Sequence, residues 1–542
     1  AKFSYPLMLD LTGSINNVNI ERASSNYSVL LFIPDKDTGY NLDNLIFKDC
    51  MCKDHVIEIN NQNTELTNIN IEFTTIENAC GAIIVTNHGA ISIADSHFTR
   101  SKSSTDKGSV FYTPQQTNDP SSTFTVDNCQ FDETLGSSFL VSVPSGFEDS
   151  IQLLNSQFEG CNKAGNEGIV SVIGSSDSIG FLMEGNTIHN CGVGKSGFLV
   201  SYWVTSELPN EKEELIIIRN NALGFDIPDQ TQACMIIEVC QTKRKALIEN
   251  CTLHHTNVKS YKNLPWANAI IIEYLTSVDI SGCYFYHCGL IDPVESNGGN
   301  VIGIGGFVAT ETRIENCIFD HVTSSVSTYT ESIDIVNNTF ISFSKNNIRI
   351  AAHKYKEGRG FSLIDNVFKD SNQGSIIYSC TYNNGNYGAP VGDRGPLHSQ
   401  PTITGNTFEN ISLNLYNKTS EYDQYNYLFK FEIKNDFPII FTNNIFRNLQ
   451  TKERGFGGQI VQRNSAYPSV ELKFEDCYFM ENKGIKCGGA FSSDNYFIER
   501  LYDFMNNQLD LSFESCHFDN NNAYNGGALY LETDLSVKIN NC

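Results

Sequence analysis

One arrangement of apolar and polar residues recurs along the chain, clearest in LSFESCHF (511–518) and LKFEDCYF (472–479). With the final Phe counted as position zero, apolar residues stand at −7 and −5, the alternation of a strand with one face inward. Strict alternation would next bury −3. Instead Asn, Asp, Gly or Ser stands at −3 and Asn, Cys or Ser at −2, and the buried set resumes at −2 and zero. The parity slips between −4 and −3, so the backbone must bend there. Asn, Asp and Gly suit such a bend because they tolerate left-handed backbone angles. Each copy therefore predicts strand, corner, strand.

Further copies read IIFTNNIF (439–446), PTITGNTF (401–408), FSLIDNVF (361–368), IDIVNNTF (333–340), TRIENCIF (312–319) and VDISGCYF (278–285). Earlier ones are KALIENCTL (245–253), IIIRNNAL (216–223), FLMEGNTI (181–188), IQLLNSQF (151–158), FTVDNCQF (124–131) and ISIADSHF (91–98). LDNLIF (42–47) and INIEF (69–73) are weaker, and VKINNC (537–542) begins another. A unit of this size cannot bury its own apolar face, but copies stacked in register can. The pattern predicts an all-β chain, a right-handed parallel β-helix (solenoid) of about 16 coils, the hand following the general rule for parallel crossovers. It reads as one continuous β-helix over 1–542, with longer insertions near 381–401, 421–427 and 492–510.

Position −2 carries Asn186, Asn221, Asn338, Asn366, Asn406 and Asn444, an asparagine ladder whose stacked amides can satisfy one another inside. The same position carries Cys129, Cys251, Cys283, Cys317, Cys477, Cys516 and Cys542. A second set, Cys50, Cys161, Cys191 and Cys288, stands at +3. Parallel stacking sets Cβ atoms slightly beyond the usual disulfide range. Free or mixed thiols are therefore expected at −2, with disulfides expected among the +3 and loop cysteines. A linear stack does not make a tetrahedral metal site, and no metal or cofactor is expected.

The formal charge of −25 repels phosphate backbones, which excludes nucleic acid as an expected partner. No apolar run is long enough to span a bilayer, and the sequence starts at Ala1 without a charged-then-apolar leader, so any signal peptide is expected to be removed already or never included. Five N-glycosylation sequons, at Asn26, Asn250, Asn337, Asn410 and Asn417, together with 17 cysteines, point to an extracellular or cell-surface protein carrying N-glycans. Asn250 and Asn337 fall at −3, on the outward corner.

FDNNNAYNGGAL (518–529) and FMENKGIKCGGAF (479–491) resemble the F-x-x-N and G-G-A-[I/L/V] repeats of the chlamydial polymorphic outer-membrane protein family, most clearly over 472–542. Similar repeats occur in large surface proteins of trichomonad-type protists. The resemblance implies a right-handed parallel β-helix displayed outside the cell, with adhesive or surface-coat roles. Phe491 departs from the aliphatic residue that follows G-G-A in those repeats.

Parallel β-helices also host polysaccharide lyases and hydrolases, so catalysis is the alternative reading. No adjacent Asp-Asp pair occurs. Arg349, His353 and Lys354 in NNIRIAAHK lack the partners of a polygalacturonase strand. His254 and His255, with Lys259, read as imidazoles at a strand end, and the acids Asp35, Asp37, Asp292 and Glu295 read as solvated surface. The inserts TYNNGNYGAPVGDRGPLHSQP and EYDQYNY offer aromatic and amide groups suited to sugars or a partner protein. The expected function is structural or adhesive, without catalysis. Self-association, other surface proteins or glycans are the expected partners. The absence of capping segments raises end-to-end assembly into a fibre, or membership of a longer surface protein, as expectations.

Overall fold

A computed structural model describes the strands and corners of the chain. Most connections between coils lie outside the described residues, the longest being 113–122, 206–214, 226–234, 259–268, 291–300, 380–393, 414–427 and 494–507. Every described element is a β-strand, and none is a membrane-crossing helix. The described strands group into two compact units, Ala1–Thr276 and Ser277–Cys542. Each is a parallel stack, so the fold is the all-β solenoid that the repeat predicts.

Each coil places its copy of the repeat on two ladders. In the first unit Ser150–Leu154 lies between Thr123–Asp127 and Gly180–Glu184, with Phe124, Ile151 and Phe181 in one row and Val126, Leu153 and Met183 in the next. After the corner, the three-residue strand Gln157–Glu159 lies between Gln130–Asp132 and Thr187–His189. The predicted parity holds: Ile151, Leu153, Ser156 and Phe158 are all at most 1 % exposed.

The bend at −3 is real in every coil. The residue there has a positive φ at nine corners of the first unit, from Asn17 to Asn250, and nine of the second, from Gly282 to Asn541. One more copy exists than the sequence suggests. Ser14–Glu21 pairs with Tyr40–Lys48, bends at Asn17 and carries Ile20 where the motif expects Phe.

Two features go beyond the predicted unit. A second corner follows at +2, again with positive φ, at residues as unlike as Arg100, Glu133, Asn190, His287 and Asp370. A third ladder follows that corner. In the first unit it includes Phe139–Val143, Val170–Ser175, Phe198–Thr205, Met235–Cys240 and Ile270–Glu273. In the second it includes Ile302–Gly305, Val326–Thr330 and Ile348–His353. The coil is thus three-sided. From the insertion at 381–401, Arg394–Gly395 pairs antiparallel with Ala352–His353. Residues 421–427 and most of 492–510 lie outside the described residues.

Position zero builds the spine of the core. In the second unit Phe285, Phe319, Phe340, Phe368, Phe408, Phe446, Phe479 and Phe518 stack with centroids 4.6–5.1 Å apart and planes within 13°. The spacing matches the strand separation, so parallel pairing itself holds the rings in contact.

Candidate functional site

The inward polar ladders come first, because they separate structural chemistry from what remains for function. Asn186 Nδ2 donates to Leu153 O of the preceding coil at 2.9 Å and to Glu184 O of its own at 3.0 Å. Cys477 directs its thiol to the equivalent carbonyls, Phe441 O and Glu475 O, both at 3.3 Å. Ser156 Oγ donates to Leu154 O at 2.8 Å. Asn, Cys and Ser interchange at −2 because each supplies a donor to a carbonyl beside the bend. Asn and Ser also accept: Asn221 Oδ1 receives the Asn186 backbone N–H at 2.8 Å, and Ser156 Oγ the Cys129 backbone N–H at 3.1 Å.

The +3 cysteines, expected in disulfides, are free thiols. Cys50, Cys161, Cys191 and Cys288 are buried, and each directs its sulfur to backbone carbonyls instead. Residues stacked in successive parallel coils sit about 4.8 Å apart, beyond the Cβ separation that a relaxed disulfide takes. The −2 cysteines are free as well. Burial pushes the Cys129 thiol up to about 12. Burial also acts to raise Cys161, but hydrogen bonds from Cys191, Thr134 and Ser138 outweigh it and lower that thiol.

The F-x-x-N asparagines occupy the +3 ladder. Asn482 Oδ1 accepts the Leu449 N–H at 2.8 Å, and Asn521 Oδ1 accepts the Asn482 N–H at 3.1 Å. The two G-G-A segments lie one above the other, with Ala490 N donating to Ala528 O at 2.8 Å. A Cβ on Gly489 would press into the backbone of Gly527 and Asn522, so glycine is required there.

Of the sequons, Asn250, Asn337 and Asn410 are exposed, all at corners with φ between 50° and 55°. Asn337 Nδ2 donates to Asn316 Oδ1 at 2.7 Å and Asn410 Nδ2 to Asp370 Oδ1 at 3.0 Å. Asn26 and Asn417 lie outside the described residues, as do Lys259, Lys354, Asp35, Asp37, Asp292 and Glu295. Arg349 and His353 are placed by their backbone in Ile348–His353.

The outward chemistry gathers on the face of the three-residue strands. In the first unit His254 stands at +1 and His255 at the +2 corner, with their Nδ1 atoms 3.1 Å apart. The preceding coil has Gly224 at +1, where a Cβ would collide with the His254 ring. That notch seats the imidazole. His189, one coil earlier again, lies 6.5 Å from His254 and pairs with Glu159 at 3.3 Å.

In the second unit the same face carries Tyr284, Tyr286 and His287 in one coil and Ile318, Asp320 and His321 in the next. Tyr286 meets His287 edge-on at 4.2 Å, and His287 stacks on His321 at 5.0 Å. His321 Nδ1 lies 2.6 Å from Asp320 Oδ1, and Tyr284 OH donates to Asp320 Oδ2 at 3.2 Å. Burial and the Asp320 carboxylate raise the Tyr284 phenol, so it remains a donor. Ile318 is 43 % exposed beside this group. The result is a platform of rings fixed by a shared carboxylate, the candidate contact surface of this unit.

Sequence reading noted His254 and His255 but not this platform, whose members stand a full coil apart in the chain. Among the described residues no group of three or more His, Cys, Asp or Glu is arranged to hold a metal ion. In comparisons with protein-family models, curated proteins and solved structures, nothing matches this chain.

Proposed function

We propose that the protein is an extracellular or cell-surface structural β-helix of the polymorphic-membrane-protein repeat type, acting in adhesion. Its contact surface in the second unit is the platform of Tyr284, Tyr286, His287, Ile318, Asp320 and His321. The observation that carries this reading is the stacked ring system on a paired sheet, with His287, His321 and Ile318 exposed and Tyr284 and Tyr286 half-buried. Aromatic groups held in place lose little side-chain entropy on contact and are the usual anchors of protein interfaces. The F-x-x-N and G-G-A segments support the family reading, because both serve coil stacking at Asn482, Asn521 and Gly489.

N-glycans on Asn250, Asn337 and Asn410 suit the outward corners. Glycosylation leaves one hydrogen on Nδ2, so the donations from Asn337 and Asn410 can persist. Buried free thiols are compatible with an oxidising compartment because reactivity requires access. The partner is another surface protein or a second copy of the chain.

The experiment displays the full chain on beads and scores attachment to cells, with sedimentation of the free protein as the self-association readout. A Tyr286→Ala/His287→Ala/His321→Ala variant with an unchanged unfolding midpoint should lose attachment or self-association. Equal attachment by this variant and the parent would sink the assignment of the platform. Absence of any glycosidase-sensitive mass on protein recovered from its own cells would sink the extracellular assignment.

A further inference from the structure

The third ladder of the first unit carries a feature that the adhesive reading does not use. Val170–Ser175, Phe198–Thr205 and Met235–Cys240 run parallel and in register, with Ser171 opposite Ser201 and Ser201 opposite Glu238. Trp203 stands between Ile173 and Cys240 in the adjoining row. Val170, Val172, Val200, Tyr202 and Val239 are fully buried, and Tyr202 stacks on Phe181 at 5.3 Å inside the coil. Strand alternation therefore turns Ser171, Ser201, Trp203 and Glu238 to the outer side.

That outer side is not an ordinary solvated face. Ser171 is 0 % and Ser201 6 % exposed. Ser201 Oγ donates to Glu238 Oε2 at 2.8 Å, whereas Ser171 Oγ has no hydrogen-bond partner among the described residues. Trp203, by contrast, is 43 % exposed. A buried hydroxyl without a partner and a large indole in water both destabilise the free protein. Together they mark a place where a ligand would restore what the fold leaves unsatisfied.

We propose that Trp203, Ser201 and Glu238, with Ser171 beneath them, bind a neutral saccharide segment. An indole face packs against the C–H surface of a pyranose ring, a carboxylate accepts from its hydroxyls, and serine hydroxyls both donate and accept. The chain's formal charge of −25 disfavours acidic glycans and phosphates. A cationic amine would use the indole and the carboxylate but not the serine row, so the hydroxyl-rich ligand fits more of the site. This site stands independently of whether the second unit adheres to anything.

The chain has only two tryptophans, so Trp266→Phe leaves Trp203 as the sole indole reporter. The full-length single-tryptophan protein is titrated with neutral gluco-, manno-, galacto- and xylo-oligosaccharides, alongside uronic-acid oligomers and quaternary amines. At least one neutral series should give a saturable change in Trp203 emission. Glu238→Ala should weaken that response about tenfold, and Ser171→Ala should weaken it with no loss of unfolding midpoint. If the Ala variant does not fold, Glu238→Gln keeps the side-chain shape and carries the same test. The proposal is overturned by silence across all neutral series. A response to charged oligomers or amines alone, or equal binding by the Glu238 and Ser171 variants, overturns it too.

Discussion

Asn406 accepts two hydrogen bonds from Asn366 of the preceding coil, one from its backbone N–H at 3.0 Å and one from its Nδ2 at 3.1 Å. Asn406 in turn donates to Leu363 O, Thr404 O and Asn444 Oδ1. Asn406→Leu strands several buried groups at once and should cost roughly 2–4 kcal/mol. Asn406→Cys should cost less, because Cys317 and Cys477 fill the same position elsewhere. Urea unfolding of the two variants separates these outcomes, and equal losses would refute the donor argument.

Phe368 lies in the middle of the eight-ring stack, 4.6 Å from Phe340 and 5.1 Å from Phe408. Truncation to Ala leaves a cavity that neighbouring coils cannot close without breaking register. A loss of about 3–5 kcal/mol is expected, and Phe368→Leu should lose clearly less. Thermal unfolding monitored by circular dichroism measures both.

Gly224→Ala places a methyl group where the His254 imidazole sits. Because backbone also blocks relief, overpacking should destabilise by roughly 1–3 kcal/mol. The resonances of His254 and His255 should shift with it. Unchanged imidazole resonances would show that the notch does not seat the ring.

A hydrogen bond from Arg219 holds the Glu184 carboxyl below its usual 4.5, with Nη2 at 2.8 Å. A lowered folded-state value means that the stabilisation is present above pH 4.5. It is lost as pH falls through the depressed value. Arg219→Gln should therefore lower stability slightly at neutral pH, the effect being weakened because both groups are partly solvated. The difference from the parent should close below pH 4.5. A difference constant across that range would remove the pair from the acid response.

The first corner was legible because Asn, Asp and Gly at −3 announce a left-handed backbone. The second was not, because Arg100, Glu133, His287 and His321 carry no such signal. Only the cysteines and asparagines at +3 hinted at it, through their donor chemistry. The third ladder escaped because connections of unequal length separate it from the motif, although FLVSV and MIIEVC are readable apolar runs. Cys161 and Cys191 were legible as neighbours but not as thiols, because the +3 column was not recognised as a ladder stacked like the −2 column. The ring platform escaped for a related reason. Tyr286 and His321 meet only once each coil's length is known, and Trp203 becomes informative only when Ser201 and Glu238 are seen beside it.

The +2 corner has a further consequence. Arg, Glu, Gly, Asn, His, Ser and Asp all occupy it with the same backbone angle. Non-glycine residues resist that angle by roughly 1–2 kcal/mol each, yet the paired coils on either side impose it regardless. Side-chain identity at this column is therefore uncoupled from the shape of the backbone. In each coil that turns this way, one residue, at a repeat of about 4.8 Å, can be exchanged to write a new sequence of charges and rings along an unchanged scaffold; Phe225, buried and without that backbone angle, is the departure among the described residues.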